Sequence, residues 1–147
     1  MVYSDSVIPG KSKKQILLST YLCHPQMANH ELGGPIVLSF LYKILKNTGP
    51  HNYSYRFLIC PENIGSAAFL HKNKNKLKNV IAGYIINCVG RGNEITYKKS
   101  RISNSLSDEA ALNIIKNFGK KYIIEDFYPW GSDERQFCSP GFNLPIG

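Results

Sequence analysis

Short, nearly unbroken apolar runs, separated by stretches of helical periodicity, constrain this chain more than any other feature. The run Ile16-Leu17-Leu18 lies within Gln15 to Cys23, bounded by Gly10-Lys11-Ser12 upstream and Pro25 downstream. A strand that is apolar on both faces must be covered on both, so this one is expected in the middle of a sheet. Tyr53 to Cys60, closed by Pro61, and Val80 to Val89, closed by Gly90-Arg91-Gly92, repeat the pattern. Between the first two runs, Val37, Leu38, Leu41, Ile44 and Leu45 follow the three-and-four spacing of one helix face; Pro35 suits its first turn and Gly49-Pro50 ends it. Strands alternating with helices build a mainly parallel sheet, which predicts a layered α/β protein with residues 1–147 as one domain.

The later segments extend this order. A short helix is expected from Ile64, carrying Ala67, Ala68 and Leu70, with the Lys/Asn run from His71 to Asn79 as its solvated continuation or a loop. A strand around Ile95 to Tyr97 follows. Ser105 or Ser107 then caps a helix with Asp108 and Glu109 in its first turn and Gly119 after its end. Tyr122 to Ile124 reads as another strand, and Leu144-Pro145-Ile146 as the start of one more.

Composition removes several function classes. Hydrophobic residues make up 43% and charged residues 19%, a globular balance, and no apolar run approaches the roughly 20 residues that cross a bilayer. Met1-Val2-Tyr3-Ser4-Asp5 has neither the basic start nor the apolar core of a secretory signal, so the expected compartment is the cytoplasm. The chain carries a net charge of +8, and its lysines cluster in His71 to Asn79, where they interleave with asparagine rather than with arginine or aromatics, which argues against a nucleic-acid partner. Cys23, Cys60, Cys88 and Cys138 form no CxxC pair, so no zinc ribbon is expected, and because three of the four end or sit within apolar runs they are expected as small buried hydrophobes.

In open α/β sheets ligands bind beyond the carboxyl ends of the strands. The first strand delivers His24, with His30 and Glu31 close behind; the second delivers Glu62; the third delivers Asn87; Asp133 lies in a loop able to return to the same edge. Pro25 stiffens the chain beside His24, and a rigidly held neutral imidazole is a common zinc ligand, although a strand-end histidine can equally be a hydrogen-bonded structural residue. Glu62 follows an apolar strand, where partial desolvation suits a general base; a first-turn acid facing the dipole of the Ile64 helix is the alternative.

Three segments, Leu18-Ser19-Thr20-Tyr21-Leu22-Cys23-His24-Pro25-Gln26-Met27-Ala28-Asn29-His30-Glu31-Leu32-Gly33-Gly34-Pro35, Tyr55-Arg56-Phe57-Leu58-Ile59-Cys60-Pro61-Glu62-Asn63-Ile64-Gly65-Ser66 and Gly131-Ser132-Asp133-Glu134-Arg135-Gln136-Phe137-Cys138-Ser139-Pro140-Gly141, resemble the signature segments of the DUF4910 family, the M28-like aminopeptidase domain family. The resemblance implies a phosphorylase/hydrolase-like three-layer α/β/α sandwich with zinc at the sheet edge. It implies His24 as the first zinc ligand, His30 at a second ligand position, Glu62 as the acid that activates water or ligates metal, and Asp133 in a loop lining the active site. The implied chemistry is attack by activated water on a peptide or small amide carbonyl, with Glu62 returning the proton to the departing amine.

The chain departs from the family pattern in ways that change this expectation. Asn29-His30-Glu31 stands where relatives commonly carry Asn-Asp-Asn, and the later acidic ligand falls near Asn87 or Cys88. One zinc ion is therefore expected rather than two. The family's domain extends further at both ends, and its last histidine ligand lies downstream of the segment matching Leu144-Pro145-Ile146. The resemblance thus implies a central fragment of marginal isolated stability, inactive through truncation, or a non-catalytic remnant of the same fold.

Overall fold

The computed structural model describes residues 2–90 and 92–147; Arg91, in the turn expected at Gly90-Arg91-Gly92, lies outside them. Leu17 and Leu18 set the architecture. They are adjacent on β2 (Gln15–Tyr21), so their side chains leave opposite faces of the sheet, and both are buried, in two separate clusters. Strand β3 (Ser54–Cys60) lies parallel to β2, with Leu18 opposite Phe57 and Ser19 opposite Leu58. Phe57 accordingly joins the cluster of Leu18, and Leu58 that of Leu17. Strand β4 (Val80–Ile85) flanks β2 on its other side, also parallel. The central position expected for the first apolar run is where the structure puts it.

Each cluster is closed by a helix. On one face α2 (Gly33–Asn47) lays Leu38, Leu41, Tyr42 and Leu45 against Leu18 and Phe57. On the other, α3 (Ile64–Leu77) brings Phe69, Leu70 and Leu77 against Leu17 and Leu58. Fully burying side chains of this size contributes about 1.5–3 kcal/mol each. The helix runs through the Lys/Asn segment because Phe69, Asn73 and Leu77 recur every four residues on its inner side, leaving Lys72, Lys74 and Lys76 exposed. The result is the expected three-layer α/β/α arrangement around a mainly parallel sheet.

Strand β1 (Ser4–Ile8) has no counterpart in the sequence expectation. It pairs antiparallel with β3 and completes the order β1-β3-β2-β4. Its sequence is mostly polar, and its hold on the sheet includes a bidentate pair: Arg56 Nε donates to Asp5 Oδ1 at 2.8 Å and Nη2 to Oδ2 at 2.5 Å. Arg56 itself is buried.

Strand β5 (Glu94–Lys98), α4 (Leu106–Asn117) and β6 (Lys121–Glu125) follow, with β5 and β6 forming their own parallel pair rather than joining the main sheet. Of the two candidate caps for α4, Ser105 is the one used, in a reciprocal capping box with Asp108. Ser107 instead accepts the Gly83 N–H at 2.8 Å and donates to the Pro145 carbonyl at 2.6 Å, which fastens α4 to β4. Ile146 makes a parallel bridge to Gly83, as the strand start expected there would. No helix among the described residues is long and apolar enough to cross a membrane.

Two strand ends differ from expectation, and both matter for the site. β2 stops at Tyr21 and β4 at Ile85, so Cys23, His24, Asn87 and Cys88 all lie beyond the strands. A four-residue helix, α1 (Ala28–Glu31), forms in the loop ahead of α2. Gly34 lets α2 press on the sheet: a Cβ there would meet Thr20 Oγ1 at 2.1 Å and the Ile86 carbonyl oxygen at 2.3 Å.

Candidate functional site

Because β2 and β3 are parallel and Tyr21 is in register with Cys60, the chain leaves both strands at one edge. That places Cys23-His24 beside Pro61-Glu62, and the Glu62 N–H donates to Cys23 Sγ at 3.2 Å. Helix α1 then turns the chain back so that Glu31 returns to His24. Glu31 Oε1 lies 2.8 Å from His24 Nδ1, while Oε2 accepts the backbone N–H of Cys23. On the far side of the ring, Glu62 Oε2 is 3.6 Å from Nε2. An imidazole that is 40% exposed thus stands between two carboxylates of which 8% and 19% is exposed.

His30 stands one ring further off, 6.4 Å between ring centroids. Its Nδ1 contacts the Tyr21 hydroxyl at 2.9 Å, and the same hydroxyl lies 3.9 Å from Cys88 Sγ. Burial, then the Cys88 thiol beside it, pushes the Tyr21 phenol well above its usual range, so it remains a neutral hydroxyl. Asn29, next to His30, accepts the Gly90 N–H at 2.9 Å and ties this loop to the segment after β4.

Asp133 belongs to the layer behind these groups. It is fully buried at the start of α5 (Glu134–Phe137), and its Oδ1 accepts from Asn63 N–H at 2.7 Å and Ser66 Oγ at 2.7 Å. Burial raises its carboxyl above the ordinary range, opposed by those two hydrogen bonds. What Asp133 holds is the turn after Glu62, a three-residue turn in which Asn63 has φ of 58° and ψ of −61° and the Ile64 N–H donates to the Glu62 carbonyl at 2.6 Å.

Cys23, His24 and Glu31 each offer a ligand atom, and these lie within 4.8 Å of one another. They border a depression of about 470 Å³ with Met27, Ala28 and Leu32 along its wall. Nitrogen, thiolate sulfur and carboxylate oxygen are the donors that zinc takes, so the residues fit such an ion.

The structure therefore brings His24, His30 and Glu62 to one edge and sets Asp133 under Glu62. Cys23 corrects the expectation for the cysteines, since it is exposed, whereas Cys60 and Cys138 are buried and Cys88 is intermediate. Glu31 was visible as a loop carboxylate, but its grip on His24 depends on the α1 turn. Tyr21 carried no signal beyond strand patterning. Ser66 had none.

The sequence matches, over residues 1–147, the family described as Domain of unknown function (DUF4910). The chain belongs to the DUF4910 family. A Clostridium acetobutylicum protein provisionally named a polysaccharide biosynthesis protein with aminopeptidase-like domain is 42% identical over 147 residues, all of this chain and 34% of that protein. A crystal structure of a provisionally named peptidase from Clostridium acetobutylicum superposes with a TM-score of 0.95 at 42% identity, covering 98% of this chain and 34% of that one. An Acidobacteriales bacterium glutaminyl cyclase shares the fold, with a TM-score of 0.74 at 16% identity over 99% of this chain and 56% of the cyclase. This DUF4910 chain thus spans about a third of the length of its C. acetobutylicum relatives.

Proposed function

We propose that this chain carries the metal-binding and proton-transfer part of a zinc-dependent, aminopeptidase-like hydrolase acting on a peptide or small amide bond. The carrying observation is the His24 imidazole held between Glu31 at 2.8 Å and Glu62 at 3.6 Å, at the carboxyl edge of parallel strands. The peptidase and aminopeptidase-like names of the C. acetobutylicum relatives support the reading. His24 and Glu31 hold the ion. His30, whose Nδ1 meets the Tyr21 hydroxyl at 2.9 Å, is the second imidazole beside the site.

A bound zinc ion supplies a Lewis acid that polarises the scissile carbonyl and acidifies water. Glu62 accepts the proton of the attacking water and returns it to the departing amine. Asp133 and Ser66 keep the Glu62 turn in place while it does so. One ion is favoured over two because His30 and Asn87-Cys88 stand where a second would call for carboxylates. Zinc stoichiometry and amine release from an aminoacyl amide test the reading together. Glu62→Gln is expected to keep zinc and lose about 10²–10⁴ in kcat. A wild-type chain that holds no zinc, or a Glu62→Gln chain as fast as wild type, overturns it.

The same absent carboxylates favour a second reading, a binding module of this fold without catalysis. Zinc bound in stoichiometric amount with no amine released would identify it.

A further inference from the structure

The sulfur beside His24 bears on which ions the site accepts. Cys23 Sγ is 3.3 Å from His24 Nδ1, and Glu31 Oε1 is 2.8 Å from the same nitrogen. A tetrahedral ion with bonds of ~2.0–2.3 Å keeps its donors ~3.3–3.8 Å apart; the sulfur–nitrogen side already has that length, and all three atoms lie within 4.8 Å of one another. The Cys23 side chain is exposed and reachable. Its sulfur accepts the Glu62 N–H at 3.2 Å, so the backbone just after β3 also holds the sulfur in place. Glu31 adds rigidity from the other side: one oxygen meets His24 and the other takes the Cys23 N–H, so the backbone that aims the thiol and the carboxylate that completes the triangle are fixed together.

We infer that Cys23 is itself a metal ligand, which makes this a mixed Cys/His/Glu site selective for borderline-soft divalent ions such as zinc and cobalt over magnesium and calcium. The inference rests on the proposed metal role of His24 and adds the thiolate to it. Binding forms one ion–sulfur bond and releases the thiol proton to solvent. Two anionic donors then balance the charge of a dication.

Cobalt(II) titration of the 147-residue chain, followed by absorbance, separates the two claims. The wild-type chain is expected to show visible bands of tetrahedral cobalt together with a near-ultraviolet thiolate-to-cobalt charge-transfer band. Cys23→Ser should lose the ultraviolet band and bind zinc more weakly by over about tenfold, the lower end of what partners outside the ligand set command. His24→Ala should lose both sets of bands. In the unmodified chain, zinc should also protect Cys23 from alkylation by iodoacetamide, a measurement that does not depend on any variant folding. Cobalt bound with no ultraviolet band, or equal alkylation with and without zinc, overturns Cys23 as a ligand and leaves His24 standing. A wild-type chain that takes up no cobalt overturns both.

Discussion

Glu31 grips His24 and the residue before it at once: one carboxylate oxygen lies 2.8 Å from His24 Nδ1, and the other accepts the Cys23 N–H. This single buried side chain fixes both the ring and the strand exit that carries it. Glu31→Gln keeps the volume but loses the charge and one acceptor. Its zinc affinity is expected to fall by at least about 10- to 100-fold, the range for groups that orient a ligating histidine. Competition titration against a chromophoric chelator measures it; an unchanged affinity would remove Glu31 from the site.

Asp133 is expected to matter for stability as well as for Glu62. Its Oδ1 takes two hydrogen bonds at 2.7 Å, so Asp133→Ala leaves the Asn63 N–H without its partner and Ser66 Oγ with only the Asn63 carbonyl at 3.1 Å. The cost should be about 2–4 kcal/mol, against about 1 kcal/mol for Ser66→Ala. Because both variants break the same bond, the double variant should cost less than their sum. Urea unfolding midpoints decide it.

Two buried aspartates should tilt the acid stability profile in opposite directions. Burial pushes the Asp108 carboxyl up, but hydrogen bonds from Ser100 and Ser105 outweigh it and hold the group below its ordinary value. Between the depressed folded value and the ordinary unfolded one, the unfolded chain binds more protons. Stability from Asp108 is therefore complete above the unfolded value and lost as pH falls through the folded one. Asp133 is raised, so the folded chain binds more protons between the two values, and its contribution declines as pH rises through that window. Asp108→Asn should flatten the acid fall, and Asp133→Asn should remove the opposing decline. Urea unfolding from about pH 2 to pH 6 resolves the two slopes.

Gly34→Ala tests the seating of α2. The added methyl would sit 2.1 Å from Thr20 Oγ1 and 2.3 Å from the Ile86 carbonyl, and the second of these is backbone that cannot swing aside. A loss of about 1–3 kcal/mol in thermal unfolding is expected. Zinc affinity should fall as well, since α2 follows directly on the turn that carries Glu31.

What the sequence conveyed and what it withheld divide along chain separation. The place of β2 was legible because Ile16-Leu17-Leu18 needs cover on both faces, and the start of α4 because Asp108 and Glu109 suit a first turn, whereas the choice of Ser105 over Ser107 as cap came only with the fold. His24 and Glu62 were legible as a pair because each follows a parallel strand. β1 was not, since Ser4-Asp5-Ser6 carries no apolar alternation and the strand pairs with β3, where Arg56 meets Asp5 from 51 residues away. Nor was the task of Asp133, whose identity as an acid was plain but whose partners at Asn63 and Ser66 become neighbours only in the folded chain.

Those separations also order how the site comes together. His24 and Glu31 are 7 residues apart, whereas Asn63 and Asp133 are 70 apart. Closing the longer loop carries the greater entropic cost and comes later. Under the proposed function, the expected order of assembly is therefore the His24–Glu31 pair first and the support beneath Glu62 last.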